Sequence, residues 1–114
     1  MADDVVLLNL EEGIGRVMNN KNLYVKLLVK FKDGTNLNDL ETALAEGDME
    51  KAHSTAHMIK GVVANLSLPE LCRQIQEIEA QIKANDVKPD QLNVLKNVFS
   101  QTIKEVEKVI AQNG

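Results

Sequence analysis

Little in this 114-residue chain is aromatic, cross-linkable or basic, and each shortage removes a class of function. There is no tryptophan, one tyrosine (Tyr24) and two phenylalanines, Phe31 and Phe99. That leaves no platform on which nucleic-acid bases could stack and predicts an aliphatic core. Cys72 stands alone, so no internal disulfide can form and a reducing, cytoplasmic setting is expected. Acidic residues outnumber Lys and Arg by 17 to 13, for a net charge of −4. A nucleic-acid partner is therefore not expected, because such proteins normally present a basic face. No apolar run approaches the roughly 20 residues of a membrane-spanning helix. Met1 to Leu10 also lacks the basic start and long apolar stretch of a secretory signal. No membrane association is expected. The length suits one domain over residues 1–114.

What remains is helical periodicity from end to end, with no convincing run of strict alternation. Asn9-x-x-Glu12 reads as a capping box opening a first helix that ends near Met18, before the turn at Asn19-Asn20. A second segment runs from about Lys21 to Lys32, with Leu23, Leu27, Leu28 and Phe31 inward. Asp33-Gly34 signals a stop, and Thr35 or Asn36 can restart a helix carrying Leu37, Leu40 and Leu44. Whether residues 21–45 form one kinked helix or two stays open. Gly47 can close a helix in a left-handed conformation and Asp48 can cap the next, which runs to about Leu66. Pro69 disfavours a helical Leu68, and Ser67 with Glu70 can cap a new start. The following helix spaces Leu71, Ile75, Ile78 and Ile82 by four, three and four. After a polar turn over 85–90 containing Pro89, a last helix carries Leu92, Leu95, Phe99, Val106 and Ile110. Short loops between amphipathic helices predict an all-α, up-down antiparallel bundle.

The helix predicted over 48–66 carries the chemistry. On a helical projection, Met49, Ala52, Ala56, Met58, Ile59, Val62, Val63 and Leu66 fill an apolar arc of about 180°. Opposite lie Glu50, His53, Ser54, His57, Lys60, Gly61 and Ala64, with His57 near the middle. A solvent-facing imidazole, with an ordinary pKa of about 6.5, is largely neutral at cytoplasmic pH and can offer a nucleophilic nitrogen. Lys60, three residues on, lies on the same surface and can offset phosphate charge. Gly61 gives up about 1 kcal/mol of helix propensity relative to Ala. Clearance for an incoming protein is one compensation, and close helix packing is another. From these residues alone, a bundle that works purely by docking stays open beside one that carries a phosphoryl group.

The run Ala56-His57-Met58-Ile59-Lys60-Gly61, followed by Ala64-Asn65-Leu66, resembles the signature of histidine-phosphotransfer (HPt) domains. The likeness extends to Asn22-Leu23-Tyr24 with Leu27-Leu28 and Phe31, to Ala43-Leu44 with Gly47-Asp48, and to Leu71, Cys72 and Ile78-Glu79. It implies a four-helix bundle core with an additional short N-terminal helix, and phosphorylation of His57. It further implies a carrier without kinase activity of its own. Such a carrier exchanges phosphoryl groups with the aspartates of response-regulator receiver domains and hybrid histidine kinase receiver domains. The receiver would supply magnesium, so no cofactor of the chain's own is expected, and a monomer is expected. Lys60 and Gly61 carry over as phosphate-facing and clearance positions. Glu79 falls where relatives place Gln or Glu against the histidine ring, which suggests that it accepts a hydrogen bond from the nitrogen that is not phosphorylated. Ser67 departs from the glycine usual after the Asn-Leu pair, and Pro69 with a Ser67 cap is expected to close the helix another way.

Other signals carry less. His53 and His57 have a spacing compatible with metal chelation, but Glu50 is a poor third ligand and no metal site is expected. His53 as a rival phosphoryl acceptor lacks the Lys-Gly context. Asp33 to Asn36 lacks the spaced oxygens and closing Glu of a calcium loop. Met18, Met49 and Met58 read as core filler.

Overall fold

In the structure, a computed structural model that describes residues 6–113, six helices follow one another: α1 (Leu10–Arg16), α2 (Lys21–Gly34), α3 (Asn38–Ala45), α4 (Met49–Asn65), α5 (Pro69–Lys83) and α6 (Pro89–Asn113). The first five residues of the acidic N-terminal stretch and Gly114 lie outside the described residues. Among the described residues there is no strand, and none of the helices is long and apolar enough to cross a membrane. The up-down four-helix bundle with an added N-terminal helix is the fold. Helix α5 packs between α4 and α6, α2 packs on α6, and α3 packs on α4, so α2 and α3 share the fourth side; α1 leans on α2. Residues 21–45 are thus two helices. Asn36 Oδ1 accepts the Asn38 backbone N–H at 2.9 Å from two residues before the helix begins, and the N-cap position itself, Leu37, has no side-chain cap bond.

The N-terminal caps read from Asn9 and Asp48 are present, but the Asn9 capping box forms only in its forward half, because the Asn9 N–H is donated to the Ser67 carbonyl and not to the Glu12 side chain. Asn9 accepts from the Glu12 N–H, Asp48 from the Lys51 N–H, and Asn20 does the same for Leu23. Helix ends follow a single device. After α1, α3, α4 and α5, a residue turns left-handed (Met18, Gly47, Ser67 and Asn85, with Asn19 following Met18 into the same region) and the next N–H reaches back to the last turn. Those bonds run from Asn19 to Ile14, Asp48 to Ala43, Leu68 to Val63 and Asp86 to Gln81, at 2.9–3.1 Å. Only one of the four positions is glycine, as the motif prefers. Ser67 therefore does the glycine's job itself, at φ +56°, and is not the cap of α5, whose N-cap Leu68 makes no side-chain cap bond. A left-handed serine costs about 1 kcal/mol. It is held by Arg16 Nε donating to its Oγ at 3.1 Å, while its carbonyl accepts the Asn9 N–H at 2.9 Å.

The core is aliphatic, with Tyr24 as its one large polar-tipped member. Tyr24 is fully buried and its hydroxyl donates to the Leu66 carbonyl at 2.7 Å. Its ring lies so close to Gly13 that a Cβ there would collide with it, so α1 can approach only as glycine. Burial, with the Glu12 charge adding to it, pushes the phenol up to about 12. Helix α2 therefore buries Tyr24, Leu28 and Phe31, and the expected inward Leu23 faces out. Leu71, Ile75, Ile78 and Ile82 are all buried on α5.

Two other expectations fail for one reason. The buried stripe of α4 is narrow, limited to Ala52, Ala56, Ile59, Val63 and Leu66, while Met58 is 65% exposed and Val62 is also exposed. Neither α2 nor α3 covers that flank: α3 is only eight residues long and α2 turns toward α6. The gap between them leaves a cleft of about 240 Å³ bordered by Gly34, Asn36, Met58 and Val62. Met58 is thus surface and not core filler, as is Met18 in its exposed turn; Met49 alone of the three packs against the core.

Candidate functional site

Seventeen residues of helix without proline or an internal break give α4 a rigid outer face, and α5 runs alongside it. His57 stands on that face with 67% of its side chain exposed. Glu79 projects from α5 into the seam and is 5% exposed. Its Oε2 lies 3.2 Å from His57 Nδ1, and its Oε1 accepts from Lys60 Nζ at 2.8 Å. A buried carboxylate is normally driven toward its neutral form. Here the Lys60 ammonium, and after it the His57 ring, outweigh burial and hold Glu79 below the usual carboxylate range. Glu79 is consequently ionised at neutral pH.

An ionised oxygen facing Nδ1 decides the tautomer of His57. A lone pair there would be repelled, so in the neutral ring Nδ1 carries the hydrogen and donates it, which puts the lone pair on Nε2. The nitrogen left free belongs to the exposed imidazole. Lys60 is not a free cation in this arrangement, because Glu79 engages it, but its side chain remains 28% exposed and its charge sits one turn from His57.

Gly61 resolves one of the alternatives left by the sequence. A Cβ built there would meet nothing within 4 Å, so close packing inside the chain does not require the glycine. Ala64, a further turn along, is partly exposed and short. The surface beyond His57 therefore lacks bulk for two turns.

The sequence placed His57, Lys60 and Gly61 on one face, and the structure brings Glu79 to them across the helix seam. His53, set aside as a metal ligand or rival acceptor, also joins the group. Its ring lies nearly parallel to that of His57, 13° apart with centroids separated by 6.2 Å, and its Nε2 lies 3.4 Å from Glu79 Oε2. The four-residue spacing foretold its proximity to His57; nothing local pointed to the carboxylate arriving from α5. Among the described residues no group of three or more His, Cys, Asp or Glu side chains is arranged to hold a metal.

The family model of the Hpt domain matches residues 33–110, which is more than half of the chain. Among solved structures, the HPT domain of the Hpt sensor hybrid histidine kinase from Shewanella is similar, with a TM-score of 0.76. Its sequence is 24% identical, and the likeness covers 96% of this chain and 97% of that one. At that identity it speaks for the fold. No curated protein matches the chain.

Proposed function

The chain belongs to the Hpt domain family, whose activity is histidine phosphotransfer in phosphorelays, and from that premise we propose that it carries a phosphoryl group reversibly on His57 Nε2 between receiver-domain aspartates. The observation that carries this reading is the exposed His57 ring tied through Nδ1 to Glu79, which leaves Nε2 as the open nucleophile. The Nε2 lone pair attacks the phosphorus of a receiver aspartyl phosphate. The N–P bond forms as the acyl O–P bond breaks, and the electron pair leaves on the aspartate carboxylate. The Nδ1 hydrogen stays in place, so the phosphorylated ring is an imidazolium whose charge faces the Glu79 carboxylate. Onward transfer is the reverse, with an aspartate oxygen attacking phosphorus and a neutral imidazole leaving.

Glu79 thus orients the ring and stabilises the charge that develops on it. Lys60 supplies a cation beside the phosphoryl oxygens, and Gly61 with Ala64 keeps the in-line approach open. Magnesium belongs in this reading to the receiver, and the chain itself acts as a carrier without kinase activity. The receiver docks as a small, transient interface over α4 and α5, and the exposed apolar side chains of Met58 and Val62 flank that approach. The chain acts as a monomer.

Incubation with a panel of phosphorylated receivers and magnesium tests this directly. Acid-labile label is expected on the wild-type chain and not on His57→Gln. Failure of every receiver to transfer, under conditions where each discharges to another HPt protein, favours docking alone.

A further inference from the structure

We propose that His53 is a positioning residue of this site: its Nε2–H and that of His57 at Nδ1 converge on one oxygen of Glu79, and His53 keeps that oxygen where His57 needs it. The inference rests on the reading of His57 as phosphoacceptor. Three observations carry it. First, His53 Nε2 is covered from solvent and has no hydrogen-bond partner, although the ring as a whole is partly exposed. A covered polar nitrogen without a partner is costly and uncommon, so its place here calls for an explanation. Second, the nitrogen lies 3.4 Å from Glu79 Oε2. That is near enough for attraction but not aligned as a hydrogen bond, so a small rotation of the ring or the carboxylate would complete it. Third, the His53 ring lies parallel to that of His57, four residues away on the same helix.

The direction of the effect follows from the chemistry of Oε2. Because Glu79 is ionised, a lone pair on His53 Nε2 would be repelled, so this nitrogen also carries hydrogen. Oε2 is then bracketed by two N–H groups from α4, while Lys60 holds Oε1. Without His53, Oε2 would be held by His57 alone, the ring that an approaching receiver disturbs. A second N–H from the same helix keeps Oε2 in place when that contact is strained. The His53 ring also lies beside that oxygen in the seam, where the Glu79 side chain is only 7% exposed. Without it, His57 would lose part of its preference for the Nδ1–H tautomer, and fewer molecules would present a free Nε2.

Two substitutions separate the donor from the mere wall. His53→Leu fills the space without an N–H, and His53→Gln keeps a donor within reach. Ring nitrogen shifts of His57, measured by NMR at about pH 8, above the ordinary histidine range, report its tautomer without any phosphotransfer. In the Leu variant the Nδ1–H form is expected to fall, and transfer from a phosphorylated receiver to slow about two- to tenfold, the net worth of an ordinary hydrogen bond, because the 3.4 Å contact is too poorly aligned to reach the charge-assisted range. The Gln variant is expected to restore both. An unchanged tautomer in the Leu variant overturns the inference, as does a shifted tautomer with unchanged transfer. Equal loss in both variants, with both folded by circular dichroism, overturns the donor role. If instead the wild-type chain accepts no phosphoryl group at all, the phosphoacceptor reading fails while the tautomer measurement still decides the geometry.

Discussion

Gly61→Ala separates the two things a glycine can do in the middle of a helix. The residue lies inside α4, four positions after His57, and a Cβ there would touch nothing within 4 Å. With no clash to offset it, the gain is the propensity difference between Ala and Gly, about 0.8–1.0 kcal/mol. Unfolding entropy of about 2.1 cal/mol/K per residue over 114 residues amounts to about 0.24 kcal/mol/K. The melting temperature should therefore rise by about 4 °C. Activity should move the other way. Cβ atoms four residues apart on a helix stand about 6 Å from one another, so the new methyl sits beside the path to Nε2. In-line attack needs the phosphorus within roughly 3–3.5 Å, and a 1 Å misplacement can cost about a hundredfold. A methyl that moves the receiver by part of that distance should slow transfer about tenfold. Gly61→Gln, with a longer side chain, should nearly abolish transfer while melting no lower than wild type. Thermal unfolding followed by circular dichroism, beside single-turnover transfer from a phosphorylated receiver, measures both quantities. A variant that is less stable, or a Gln variant that transfers normally, would refute the reasoning.

Three further outcomes follow from other contacts. Glu79→Gln should slow transfer and also change the acid limb of stability. The folded carboxylate titrates below its ordinary range, mainly through Lys60 and then His57. Its contribution is complete above the ordinary glutamate pKa of about 4.3 and is lost as pH falls through the lowered value. Denaturant unfolding of the variant between pH 6 and pH 3 (roughly, the window set by those values) should show a shallower decline than wild type. Gly13→Ala should destabilise by about 1–3 kcal/mol, because its methyl meets the buried Tyr24 ring; chemical denaturation measures this. Met58→Glu should leave stability within about 0.5 kcal/mol, since the side chain is largely exposed. It should raise the receiver concentration needed for half-maximal transfer by about tenfold, and a titration against receiver concentration checks this.

How much of this was legible beforehand depends on whether the cause was local. The period of Leu71, Ile75, Ile78 and Ile82 requires only α5 itself, and all four are buried. The caps at Asn9 and Asp48 are also local, each closing on an N–H three residues away. Gly47 announced its left-handed turn; Met18 with Asn19, Ser67 and Asn85 adopt the same geometry without glycine. A single left-handed residue costs little, and two backbone bonds at each helix end offset it. No composition rule separates those residues from their neighbours. The outward Met58 and Val62 were misread because a projection shows which side chains share a face, not where the neighbouring helix stops. Likewise Leu23 yielded its inward place to Tyr24, whose partners Gly13 and Leu66 lie far off in sequence. At the site, the face bearing His57, Lys60 and Gly61 was readable from spacing alone. The carboxylate from α5 was suggested by family resemblance, and its convergence with His53 needed coordinates.

The chemistry finally depends on which nitrogen of which histidine bears phosphorus. Nitrogen-15 and phosphorus-31 NMR of the chain after loading from a phosphorylated receiver identifies that atom. Phosphorus bonded to His57 Nε2, with hydrogen retained on Nδ1, is the predicted result. Phosphorus on His57 Nδ1, or on His53, would contradict the account.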